Sequence, residues 1–316
     1  MPSEAVRAWV DRVRRVDFAA FALRCGAGAA APAGRARSLE SLGLEWSERL
    51  KTAWPMGADL AFMAQTGSFM YDLQVPSSDC DYSIIFLADP EDLASRTPPA
   101  TEFHRGKELG PFLLELAKGN PRNVELLFTE KPHITSPVWQ ELRSRRHGFV
   151  TLRCARQYFG FIMDRLGCAS KELEAHSRDG EVLKVGTAKR FSKWLYHAHH
   201  KLFGLLRLLE TGEPLVALAG QQRDFVLGLR LRPPELRTEA MALLEKAEAQ
   251  LRQCEGRIQA AEASGALPAE VDAEALLAWL GGVRASQAAR APPQPSLDEH
   301  CGNDAGREGT PHSDEG

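Results

Sequence analysis

From residue 136 to about 285 the chain carries helical spacing almost without a break, which confines any sheet to what precedes it. The segments 136–146, 151–167, 184–211, 221–230 and 235–263 each repeat apolar residues three and four apart. Pro233-Pro234 ahead of "ELRTEAMALLEKAEAQL" reads as a helix start, because proline is tolerated in a first turn. "LPAEVDAEALLAWL" (267–280) adds one more helix. Upstream the pattern changes. "ADLAFMAQT" (58–66) and "DYSIIFLA" (81–88) read as short buried strands, the second rich in β-branched and aromatic residues. Strands alternate with helices from Leu60 to about Phe128, and "TPPATEFHRG" (97–106) interrupts them as a loop or irregular strand.

At the N-terminus, residues 1–25 read as a helix on Ala5, Trp9, Val10, Val13 and Val16, and "GAGAAAPAG" (26–34) reads as a linker. A further helix is expected over 38–53, opened by Ser38. Residues 290–316 are polar and rich in Pro and Gly, so they are expected to be disordered. The expected division is 1–37 helix and linker, 38–135 α/β domain, 136–285 helical domain and 286–316 tail.

A net charge of −3 gives no global argument for nucleic acid, and no apolar run reaches the ~20 residues of a membrane helix. No membrane partner is expected. The six cysteines form no Cys-x-x-Cys pair, which suits reduced thiols and an intracellular, cytoplasmic location. Glu4, Asp11 and Asp17 argue against an organelle leader. Between Arg143 and Arg207, fourteen Lys/Arg face five Asp/Glu, a balance that fits either solvated helix faces or a region that meets phosphates.

The chemistry concentrates in "GSFMYDLQVPSSDCDYSIIF" (67–86). Ser77, Ser78 and Asp79 read as a turn after Pro76. Asp79 and Asp81 then fall on one face of the strand, with Cys80 opposite as core packing. Two like charges at that spacing repel unless a cation lies between them, and Mg²⁺ accepts one or two carboxylates plus phosphate oxygens. Gly67 permits close backbone approach to a ligand, and Ser68 is expected to cap a short helix whose N–H groups face an anion.

Gly67-Ser68, ten intervening residues and Asp79-Cys80-Asp81-Tyr82 resemble the nucleotidyltransferase signature of the DNA polymerase β superfamily. The stretch is most similar to a bacterial branch of predicted nucleotidyltransferases with a Gly-Ser, Tyr-Gly-Leu, Ser-Asp-x-Asp-Tyr pattern. Asp72 stands where that branch usually has Gly. "LGPFLLELAKGNPRNVELLF" (109–128) and "KRFSKWLYHAHHKLFGLLRLLETGEPLV" (189–216) resemble two later segments of the same branch. The resemblance implies a small mixed-sheet domain, α+β or α/β, followed by an all-helical domain. It implies transfer of a nucleoside monophosphate from an NTP, such as ATP, to an acceptor hydroxyl, with release of pyrophosphate. Mg²⁺ or Mn²⁺ would sit on Asp79 and Asp81, and phosphate on Gly67 and Ser68. The acceptor is left open among RNA, protein and small molecule.

The superfamily pattern also asks for a third acid flanked by apolar residues on a neighbouring strand. Glu125 in "NVELLF" is preferred as catalytic and metal-binding; Glu102 in "ATEFHRG" is the alternative. Lys193, His197 and Lys201 fall near one face of a predicted helix. Lys193 and His197 are the candidate triphosphate contacts, the His by the resemblance, against the alternative of a solvated basic stripe. His197 and His200 in "YHAHH" lack a nearby Cys or carboxylate to complete a zinc site. A nucleotide- or protein-binding module with a decayed site and a helical adaptor are the rival readings.

Overall fold

The computed structural model describes residues 59–79, 81–88, 102–103, 106–175 and 182–289. The expected helices at 1–25 and 38–53, the linker 26–34, Cys80, most of the loop 97–106 and the tail 290–316 lie outside the described residues.

Among the described residues, five strands form one mixed sheet: β1 (Asp59–Thr66), β2 (Asp81–Leu87), β3 (Glu102–Phe103), β4 (Gly106–Glu108) and β5 (Pro132–Thr135). Their order is β3-β4-β2-β1-β5. β2 runs parallel to β4; the other pairs are antiparallel. Phe62 faces Ile85, Ala64 faces Ser83 and Thr66 faces Asp81 across β1 and β2. Phe62, Ala64, Ile85 and Leu87 belong to the core shared with the helices. By alternation, Thr66 and Asp81 therefore look toward the helical layer.

After β4 come α1 (Leu109–Ala117) and α2 (Pro121–Phe128). Gly119 has φ +75°, and a Cβ there would lie 2.7 Å from the Cys154 backbone, so only glycine fits between the two helices. Asn120 then caps α2 through its side chain, with Pro121 in the first turn. α3 (Pro137–Ser144) is capped by Ser136, and α4 (Leu152–Glu174) by Thr151. α5 (Val185–Thr211) ends at Gly212 in the left-handed conformation. α6 (Gly220–Leu231), α7 (Arg237–Ser264) and α8 (Ala273–Ala288) complete the layer.

Two expected helix starts shift. Pro233-Pro234 does not enter α7, because Leu183 N–H bonds the Glu235 carbonyl and Val182 bridges to Leu236, holding that stretch extended. α8 starts at Asp272's cap rather than at Leu267. The carbonyls of Pro268 and Ala269 instead accept the first N–H groups of α4. α8 also runs through 286–288, which the sequence division assigned to the tail. One hydrophobic core runs from Ala61 to Val283, with Trp139 of α3 stacked on Phe62 of β1 at 3.9 Å between ring centroids.

Candidate functional site: an acid pair at the strand entry and a buried carboxylate behind it

β1 ends at Thr66 and the chain turns at Gly67, whose φ is +65°. A Cβ on Gly67 would lie 3.3 Å from Asp81 Oδ2. The Gly-Ser turn and the second acid are thus neighbours in space. The buried Thr66 hydroxyl, opposite Asp81, has no hydrogen-bond partner among the described residues. Asp79 is exposed, and Asp81 is partly so.

Two local expectations are corrected. Ser68 caps no helix: Gly67–Phe69 is a single 3₁₀ turn with Thr66 at its N-cap and no side-chain cap bond. Only Asp81 belongs to β2, so Asp79 reaches the site from the preceding loop, not from a strand face.

That loop is tied down along its length. Asp72 has φ +59°, the left-handed region that favours glycine. The Asp72 carboxylate pairs with Lys131, and its carbonyl accepts from Arg223 Nε at 2.8 Å. Arg230 donates to the Leu73 carbonyl at 2.7 Å and to Ser78 Oγ at 3.1 Å, one residue from Asp79.

Arg230 also joins the loop to a basic face. Its guanidinium lies 5.6 Å over the Tyr196 ring, and Arg165 of α4 lies 5.0 Å over Trp194 and 4.8 Å over Phe161. Lys193 is exposed and His197 half-buried beside them. Burial, reinforced by Lys193, Arg165, Lys201 and Arg230, pushes His197 down to about 4. It is therefore neutral at pH 7. Asp164 approaches Arg165 to 3.5 Å.

Glu125 is a different case. It lies on α2, not on a strand, and α2 buries Asn123 through Phe128 on all sides. The carboxylate is fully buried and accepts from Tyr71 Oη at 2.8 Å, Tyr158 Oη at 2.8 Å and Lys201 Nζ. Lys201 also donates to Tyr71 Oη at 3.1 Å. Burial is the main force raising both tyrosines and lowering Lys201, against which the charge of Glu125 holds the ammonium. His200 packs its ring on Tyr71 at 3.8 Å. Cys154 nearby is pushed up to about 12 by burial, an inert thiol.

Glu125 is thus committed to an internal network rather than to a metal. Glu102 pairs in register with Lys107 on β4, whose partner on β2 is Ile85, four residues beyond Asp81. Glu108 is bound by Arg284 and by Gly110 N–H at 2.6 Å. Among the described residues, no three His, Cys, Asp or Glu side chains converge as metal ligands. A cavity of about 230 Å³ behind the turn is lined by Met70, Phe128, Lys131, Arg146, Glu213 and Val216. Its charges are already matched, Lys131 by Asp72 and Arg146 by Glu213.

The sequence reading does not single out Tyr71, Tyr158, Thr66, Arg165 or Arg230, and it puts Lys201 on one face with Lys193 and His197, where the structure buries it against Glu125. A signal for Lys201 existed in its apolar neighbours Leu202 and Leu205, both buried. The chain matches no family model, and no curated protein or solved structure is significantly similar to it.

Proposed function

We propose that this chain binds a nucleoside triphosphate with Mg²⁺ or Mn²⁺ at the Gly67–Asp81 corner and transfers its nucleotidyl group to an acceptor hydroxyl. The observation that carries the reading is the approach of the left-handed Gly67 to the Asp81 carboxylate. It joins the two halves of the quoted motif at one sheet end, on the face that looks toward the basic helices.

The donor set suits a hard cation. Asp79 and Asp81 would supply two carboxylates, enough for Mg²⁺ when phosphates complete the shell. Bound there, the ion would neutralise charge on the transferring phosphoryl group. The backbone at Gly67 and Ser68 would border the phosphates, while the Thr66 hydroxyl is a buried group in need of a partner. Lys193 and Arg165 would face the outer phosphates, and neutral His197 would contribute a hydrogen bond rather than charge. Among the described residues no third acid joins these two, and Glu125 is held by Lys201 and two tyrosines.

That last feature favours a second reading, a nucleotide-binding module without turnover. Titration calorimetry with each NTP, with and without Mg²⁺, joined to a pyrophosphate-release assay on cell extract, separates the two. Metal-dependent binding with pyrophosphate release supports transfer; binding without release supports the module; no binding refutes both.

A further inference from the structure

We propose that Tyr71 is a positioning residue for the Gly67-Ser68 turn, anchored through the protein interior by Glu125 and Lys201. The proposal rests on the nucleotide reading above. Tyr71 is four residues from Gly67 on the same short loop. Leu73 N–H bonds the Ser68 carbonyl at 2.8 Å and Asp72 N–H bonds the Phe69 carbonyl at 3.3 Å. The turn is therefore closed on itself, and a shift at Tyr71 is carried to Ser68.

Its ring and hydroxyl are both engaged. The ring packs on His200, the hydroxyl donates to Glu125 Oε2 and accepts from Lys201, and the Tyr71 carbonyl accepts from Leu218 N–H at 3.1 Å. The remaining ties, from Lys131, Arg223 and Arg230, reach residues 72–78 and act after the turn. Tyr71 is thus the inner anchor of the part that would border the phosphates.

The molecule contains its own control. Tyr158 donates to the other oxygen of the same carboxylate at the same 2.8 Å, but from α4, outside the loop. Removing either hydroxyl takes one donor from Glu125, and Tyr71→Phe also takes an acceptor from Lys201; a merely structural role predicts losses of stability from both with no selective effect on the turn. A positioning role predicts that only Tyr71 affects the turn.

The test compares Tyr71→Phe with Tyr158→Phe in the full chain, reading melting temperature, amide exchange at residues 68–73 and affinity for α,β-methylene-ATP with Mg²⁺. Comparable losses of melting temperature are expected. Tyr71→Phe should speed exchange at 68–73 and weaken the analogue about tenfold, the equivalent of one hydrogen bond. Tyr158→Phe should leave both within about twofold, well below that one-bond equivalent. Equal effects of the two variants on exchange or affinity, or no faster exchange in Tyr71→Phe, overturn the proposal. So does faster exchange with unchanged affinity. If the wild-type chain does not bind the analogue, the nucleotide reading fails by itself, and the exchange comparison still decides whether Tyr71 holds the turn.

Discussion

The acids at the strand entry and the acid behind them sit in opposite physical situations. Asp79 is exposed and Asp81 half-exposed, next to a glycine backbone. Glu125 has no exposure, and its oxygens are taken by two hydroxyls and an ammonium. The first arrangement keeps two acids at the surface. The second uses a carboxylate to fasten α2, α4, α5 and the Gly-Ser loop together. The difference teaches that apolar neighbours and a motif-like position do not make a carboxylate a ligand; burial inside the fold decides whether it can be reached.

The sharpest way to break this contrast is to remove one member of the buried pair. Lys201→Met should destabilise by about 3–5 kcal/mol in urea denaturation, because it strands the Glu125 charge in the interior. Glu125→Leu combined with Lys201→Met should recover much of that loss. If the double variant is no better than the single, the pair does not act as a unit.

The histidines beside the network give the next effect. Among the described residues His199 has no hydrogen-bond partner at either ring nitrogen, and burial, with Lys246 beside it, lowers it to about 4. His200 is pushed well below its usual value by burial, with Lys201 adding to it. Below about pH 6.5 the unfolded imidazoles bind protons that the folded ones refuse. Stability is therefore fully present above that pH and falls as pH drops toward 4, by up to about 1.4 kcal/mol per pH unit for each such histidine. Denaturation midpoints between pH 7 and 4.5 would show it, and His199→Leu should flatten the slope.

At the loop the expected effects shrink. Asp72→Ala should cost about 1–2 kcal/mol from a left-handed backbone that alanine resists, and Asp72→Asn less. Equal stability of the two would mean that neither the conformation nor the Lys131 pair matters. Asp79→Asn should change melting by less than about 0.5 kcal/mol, as expected of an exposed side chain. A large loss there would give Asp79 a structural task and erase the contrast.

Much of the fold around these acids is legible in the sequence. The apolar runs fixed β1 and β2 to within a residue or two, and helical spacing located α4 through α6, because in both cases burial follows period. Glu125 was misread because an acid between Val124 and Leu126 fits a strand and an all-round buried helix equally well. The Gly119-Asn120-Pro121 triplet, a close-approach turn, a cap and a first-turn proline, was the signal that settles it as a helix. Lys201 and the two tyrosines were not legible as a set. They are brought together by contacts across 33 to 130 residues, which no local pattern encodes.

The division of labour among the acids is tested most directly by metal-dependent nucleotide binding in three proteins: wild type, Asp79→Asn/Asp81→Asn and Glu125→Leu/Lys201→Met. Titration with α,β-methylene-ATP, with and without Mg²⁺, should show a metal-dependent gain in affinity that the Asp79/Asp81 variant loses. The Glu125/Lys201 variant should keep that gain, although its overall affinity falls as far as in Tyr71→Phe. A metal-dependent gain that survives in the Asp79/Asp81 variant and vanishes in the Glu125/Lys201 variant would contradict the account.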